Sequence, residues 1–422
     1  MPDVSYSELS QEELAVLVPE LLLAGQLIDR SAMAHIIGDF GRDVMAQVAI
    51  EEWMAASPVY TARMRRAMGV DGDGVVDMFK CLQLDIGAPP QFMDFRYSVT
   101  DEYHGSFVLD HCGALMDVEP MGEDYVTAMC HDIEDPTFDA TAIATNRRAR
   151  IRPVHRPPRR PENRTPHCEW LVTIEPDRDE LELPEYTHAM FATRAADIAL
   201  SPIDHSEKGW NDYSGDLLDD LQFRDWAHST LVRTAEEVAV QHQLLVMGFM
   251  GAVSRRTSDD HARELVIKAM TGIAGLTAER ITAALGIADD AAGLARVLSL
   301  HPALGPEQYV GLGVIAEGEG TDAVVSVRIP QGSDAVADDS WIVHVDPDHL
   351  LPIQAIATAV NPHWVITAAR VDDGFLTVDI SWGAEQRERK EVAIVRFSGG
   401  STFSFADRGI PNSVIPLSIS PV

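Results

Sequence analysis

The chain has 422 residues, 46% apolar and 23% charged, and a formal net charge of −33. That length predicts two or three domains, each able to bury a core, and that charge repels nucleic acid and anionic membrane surfaces, which sets both aside as partners. No stretch approaches the length of a membrane-spanning apolar segment and none reads as a signal peptide, so the expected location is the cytoplasm, where thiols stay reduced.

Residues 1–90 read as helical. Ser10-Gln-Glu-Glu13 is a capping box, and behind it Leu14, Leu17, Val18, Leu21 and Leu22 recur at helical spacing. A second apolar pattern runs from Met33 to Trp53 and closes at Ser57-Pro58; a third opens at Asp73-Gly74 and ends near Leu82. The period then changes to two. Residues 92–99, 107–109 and 170–174 read as strands, sequential and closely linked, which predicts an antiparallel sheet. Between them, residues 122–135 read as a short helix stopped by Pro136.

Residues 146–166 hold eight arginines and five prolines. Proline at this density favours extended backbone. The plain reading is an arm lying on the protein's own acidic surface or on that of a partner subunit; the functional reading is a guanidinium clamp, with Arg152 and Arg156 binding an anionic substrate.

From residue 186 to about 304 the pattern is helical again, with 244–250 apolar on all faces and a last helix starting near Thr277. The final hundred residues give strands at 323–329, 341–345, 364–367, 375–380 and 392–397 and one helix at 351–360. Asp373-Gly374 supplies a tight hairpin turn. The expected fold class is therefore α+β: helical segments flanking an antiparallel sheet, a second helical region and a small C-terminal α+β domain. The corresponding segments are 1–180, 186–310 and 320–422.

Three of the four cysteines have a histidine neighbour: His111-Cys112, Cys130-His131 and His167-Cys168. Adjacent strand residues point to opposite faces, so one member of each pair at most faces inward. The selection that works chemically is Cys112, Cys130 and Cys168 with His131, a set able to hold zinc tetrahedrally. Packed thiols are the plain alternative. A thiol mechanism is the other, with Cys112 as nucleophile and His104 or His131 as base. In either enzyme reading Glu119 or Asp132 acts as general base on water, while Glu123, Asp124, Glu134 and Asp135 read as a solvated face.

Tyr103-His-Gly-Ser-Phe-Val-Leu-Asp-His-Cys112, Met129-Cys-His-Asp132 and His167-Cys-Glu-Trp170 resemble the cysteine-bearing segments of the L-2-amino-thiazoline-4-carboxylic acid hydrolase-like family, and the last also resembles a strand of 4-vinyl-reductase-like domains. The resemblance covers residues 30–175. It implies a helical and antiparallel-sheet domain with a cysteine-lined pocket for a small ligand. The function expected is a cytoplasmic hydrolase of a small anionic molecule through a Cys/His-lined, zinc-containing or thiol site. The alternative is a non-catalytic small-molecule- or metal-binding protein, as a homo-oligomer or a subunit of an assembly.

Overall fold

A computed structural model describes residues 5–396. The first helix, α1 (Gln11–Phe40), starts at the expected capping box: Glu13 N–H donates to Ser10 Oγ at 3.2 Å and Ser10 N–H to Glu13 Oε2 at 2.9 Å. The first apolar pattern and the start of the second, at Met33, belong to this one helix. It continues to Gly41, whose φ of +82° suits glycine and separates α1 from α2 (Arg42–Ala67). Pro58, expected to end a helix, lies inside α2. A proline there leaves the carbonyl four residues back without its helical donor, and that carbonyl, Met54 O, accepts a hydrogen bond from the Thr187 hydroxyl at 2.8 Å. The buried partner removes the cost that would have stopped the helix.

After α3 (Val75–Leu82) come β1 (Met93–Val99) and β2 (His104–Cys112), then α4 (Gly113–Val118), α5 (Glu123–Thr127), α6 (Glu134–Ile143), β3 (Ala149–His155) and β4 (Cys168–Ile174). The strands form an antiparallel sheet in the order β1-β2-β4-β3. Pro153 sits in β3, an edge strand, where a missing ladder donor is tolerated. The inner face is aromatic: Phe107, Trp170 and Phe95 pack around Phe138 of α6, with Phe138–Trp170 ring centroids 4.9 Å apart. Pro136 does not stop its helix. Residues Ala128–Ile133 form a π-helical turn between α5 and α6, and Pro136 falls in the first turn of α6, where an amide is not required.

A short α7 (Glu185–Phe191) is followed, up to Ala227, by largely irregular chain with a 3-10 turn at Phe223–Asp225, where the sequence suggested helix. Then come α8 (His228–Ser254), which contains the buried 244–250 run, and α9 (Asp259–Leu285), with Thr277 well inside it. These two long helices pack on α1 and α2. Two buried ion pairs cross the bundle, Arg63 Nε–Glu237 Oε2 at 2.8 Å and Arg280 Nε–Glu20 Oε2 at 2.6 Å. One hydrophobic core therefore joins the first sheet, the bundle and the C-terminal region.

That region contains α10 (Ala291–Leu300), α11 (Glu307–Val310), β5 (Gly313–Glu317), β6 (Val324–Pro330), α12 (Asp334–Ala337), α13 (Leu351–Val360), β7 (Trp364–Asp372), β8 (Phe375–Trp382) and α14 (Lys390–Arg396). Its antiparallel sheet runs β5-β6-β8-β7, and the β7–β8 hairpin turns at Asp373-Gly374, both with positive φ, as expected. Two expected strands are helical. Trp341–His344 is a 3-10 turn, anchored by the Trp341 indole donating to Ala303 O at 3.0 Å. Residues 390–396 form α14, packed on α9; Phe397 lies outside the described residues. Short apolar runs do not distinguish strand from helix by periodicity, and packing decided both. No helix among the described residues is long and apolar enough to cross a membrane.

Candidate functional site

The three cysteines face one interior. Strict alternation in β2 would turn His111 inward with Phe107 and Leu109. A bulge opposite Asp94 shifts the register, so that Met93 pairs with Cys112 while Phe95 pairs with Leu109. The extra residue inverts the faces from there on, and Cys112 points in. Cys168 needs no such device, sharing the inner face with Trp170 and Val172. Cys130 enters from the π turn. Each histidine neighbour is only half-buried.

These thiols are not poised as nucleophiles. Cys112 donates to Met93 Sδ at 3.6 Å and accepts from Leu115 N–H at 3.4 Å. Burial pushes its pKa up to about 12, and Glu134 adds to the effect. Burial likewise raises Cys130 and Cys168, with Glu134 and the neighbouring thiols contributing in the same direction. A thiol that stays protonated is inert as an attacking group. Among the described residues no three His, Cys, Asp or Glu side chains come together in an arrangement suited to a metal ion.

The remaining expected residues are dispersed. His104 is exposed and bound to Asp101 Oδ1 at 2.8 Å; it begins β2 while Cys112 ends it, about 25 Å away at strand rise. Asp132 is exposed. Glu119 takes a two-pronged hydrogen bond from Arg159 at 2.9 and 2.7 Å. His131 Nε2 donates to Pro157 O at 2.7 Å. Arg152 grips Asp139 at 2.9 and 2.8 Å, and Arg156 meets Asp135 at 2.5 Å while stacking over Trp170. Six of the arm's eight arginines form such ion pairs within the chain. The acidic surface under these six is the chain's own, and they dock the arm on it.

A different set of side chains surrounds a cavity between α1, α2, α6 and the start of β1. Its free interior is about 100 Å³ and opens to solvent through a wider mouth. Its walls include Trp53, Phe92, Phe95 and Phe138. Four carboxyl groups line it: Asp29, Asp85, Asp117 and Glu134, each at most 8% exposed. Arg30 is the one guanidinium in the wall; it pairs with Asp117 and lies over the Phe92 ring, 5.1 Å from its centroid.

Burial governs how these groups ionise. It pushes Asp29 up to about 6, against the opposing pull of the Arg30 charge and a hydrogen bond from the Trp53 indole. It pushes Asp85 to about 6 as well, although Gly87 N–H at 2.6 Å and the Tyr60 hydroxyl at 2.8 Å both donate to Asp85 Oδ1. Behind them Glu52, fully buried, is raised well above an ordinary carboxylate by burial and by Asp29. Glu134 is pushed further than Asp29 and Asp85, to about 8: burial outweighs the favourable Arg156 charge, and Asp135 adds to the rise. Asp29 Oδ1, Asp85 Oδ2, Asp117 Oδ1 and Glu134 Oε2 have no hydrogen-bond partner among the described residues.

No protein-family description, curated protein or solved structure matches this chain.

Glu134, read from the sequence as a solvated acid, is the largest revision. Its inward direction comes from the π turn, whose wider hydrogen-bonding ring rotates the helix that follows it. Asp29, Arg30 and Glu52 carried a legible signal. They stand in helices whose apolar residues leave little polar face, so charges there must be buried and must have a reason to be.

Proposed function

We propose that this chain binds a small, largely apolar organic molecule in the Asp29–Glu134 cavity and performs acid–base chemistry on it, with Glu134 as proton donor. The observation that supports this is the Glu134 carboxyl: over nine-tenths buried, lining a cavity, with one oxygen unpartnered and a pKa raised toward neutrality. General acids that work near neutral pH are carboxyls raised in this way by an apolar setting. An unpartnered buried carboxyl is costly for a fold to keep, and perturbed groups in clefts mark functional sites.

Hydrolysis of the bound molecule is the reaction of that kind to which the sequence pointed. In it the bond to the departing atom breaks as Glu134 protonates that atom, a water oxygen bonds to the centre it leaves, and the proton that water sheds returns to the Glu134 carboxylate. In this reading the proton-transfer group is Glu134, in place of the Cys112 nucleophile with its His104 or His131 base and of the Glu119 or Asp132 base that the sequence suggested. The three thiols serve as polarisable, apolar packing behind it.

The test is a thermal-shift screen of small organic molecules against the wild-type chain and a Thr141→Trp variant, in which an indole fills the cavity from its Thr141 wall. Compounds that stabilise the wild type should lose that effect in the filled variant. Hits that stabilise both equally would place binding elsewhere and end this reading.

A further inference from the structure

We propose that the occupant of this cavity is an organic cation, a small amine with an apolar body, held by the buried carboxylates of the lining and along its length by aromatic faces. The proposal rests on the cavity reading above and names its ligand class.

Charge decides between an anion and a cation. The cavity's guanidinium, Arg30, is met by Asp117 and also pulls on Asp29, so one cation stands against the four lining carboxyl groups, and Asp85 and Glu134 lie outside its pairing. Asp29 Oδ1 and Asp85 Oδ2 are unpartnered and more than nine-tenths buried, and both residues line the cavity. Glu52 lies behind Asp29 with neither of its oxygens bonded, adding to the same field. A buried carboxylate oxygen without a partner is unfavourable, and an ammonium group beside Asp29 or Asp85 would supply charge and hydrogen-bond donors together. An anionic ligand would meet three carboxyl groups and find Arg30 already engaged.

The walls point the same way. Trp53, Tyr60, Phe92 and Phe138 all contribute to the lining, and ring faces attract cations while excluding water. Glu134, at the end nearer the thiols, stays neutral enough to meet the apolar or reacting part of the molecule. The chain's net charge of −33 also favours the approach of cations over anions. The sequence had suggested an anionic ligand because of the arginine arm, but that arm is engaged with Glu119, Asp135 and Asp139.

The experiment is a matched panel: phenethylamine, tryptamine and cyclohexylethylamine, each with its neutral alcohol and its carboxylate analogue. Each compound is titrated into the full chain up to millimolar concentration and followed by thermal shift and calorimetry. The expected result is binding of at least one amine, with its alcohol and carboxylate analogues bound at least tenfold more weakly. Asp29→Asn and Asp85→Asn should each weaken the amine at least tenfold. A second readout guards against misfolding: proton release on amine binding at pH 6, where Asp29 and Asp85, raised to about 6, still hold protons to lose. Carboxylates binding more tightly than amines, or amine binding unaffected by both variants, would overturn the proposal. Alcohols that bind as well as amines and are blocked by Thr141→Trp would overturn the charge argument while leaving the cavity reading intact. A silent panel overturns the amine proposal; the cavity reading then stands or falls on the wider screen.

Discussion

Asp135 and Glu134 are neighbours on one helix and have opposite fates. Asp135 Oδ1 meets Arg156 at 2.5 Å on the outside of α6, whereas Glu134 turns inward and leaves Oε2 unpartnered beside a cavity. The same arginine docks the arm through Asp135 and opposes the rise at Glu134 by its charge, though burial outweighs it. This division of labour keeps Glu134 protonated near neutrality while the arm stays attached.

The first prediction concerns stability against pH. Glu134 is raised from an ordinary 4.5 to about 8 in the folded chain, so between those values the folded state holds a proton that the unfolded state has lost. Stability contributed by this group is complete below about pH 4.5 and declines as pH rises through 8, by up to about 1.4 kcal/mol per pH unit. Asp29 and Asp85 act with the same sign between about 4 and 6. In denaturant melts Glu134→Gln should flatten the wild-type decline between pH 6 and 8. A slope unchanged by the substitution would mean that Glu134 titrates normally.

The thiols give a second prediction. Cys81, Cys112, Cys130 and Cys168 are all buried and all raised. Brief iodoacetamide treatment at pH 7.5 should leave all four unlabelled until denaturant unfolds the chain. Chelator should make no difference. Selective early labelling of Cys112 would restore the thiol mechanism, and chelator-dependent labelling of Cys112, Cys130 and Cys168 together would restore the zinc site.

The bundle offers a third. Arg63 and Glu237 are 3% and 2% exposed and bonded at 2.8 Å, so removing one partner strands a buried charge. Glu237→Ala should destabilise by about 3–5 kcal/mol, read from urea midpoints. Arg63→Met combined with Glu237→Leu should cost less than the sum of the single losses. A cost below about 1 kcal/mol for Glu237→Ala would show that water reaches the pair.

The arm supplies a fourth. Arg152 clamps Asp139, which also accepts Ile151 N–H at 3.0 Å, so α6, β3 and the arm are joined at one carboxylate. Arg152→Ala should cost about 1–3 kcal/mol and speed proteolytic cleavage within residues 156–166. High salt should speed wild-type cleavage too, because the outer pairs such as Arg160–Glu123 are exposed. Cleavage equally fast in both chains at low salt would mean the arm is not held by these pairs.

Much of the fold was legible because its elements follow strong local patterns. The Ser10–Glu13 cap, the Phe107 and Trp170 strands and the Asp373-Gly374 turn each rest on a rule that neighbouring residues obey. Errors arose where a distant partner decided. Pro58 was read as a stop because nothing near it shows that Thr187 will bond Met54 O. Residues 341–345 and 392–397 were read as strands because an apolar run does not say what it will pack against. The site was less legible. The three cysteines do converge, but the bulge that turns Cys112 inward depends on pairing with Met93. Glu134 could not be told from Glu123 and Asp135 without the π turn, which no local sequence rule announces.

The central claim is that Glu134 holds a proton at neutral pH, and infrared spectroscopy tests it most directly. The carbonyl band of a protonated carboxyl, assigned by its absence in Glu134→Gln, should persist at pH 7 and fall by half near pH 8. A Glu134 carboxyl that is already ionised by pH 5 would contradict the account.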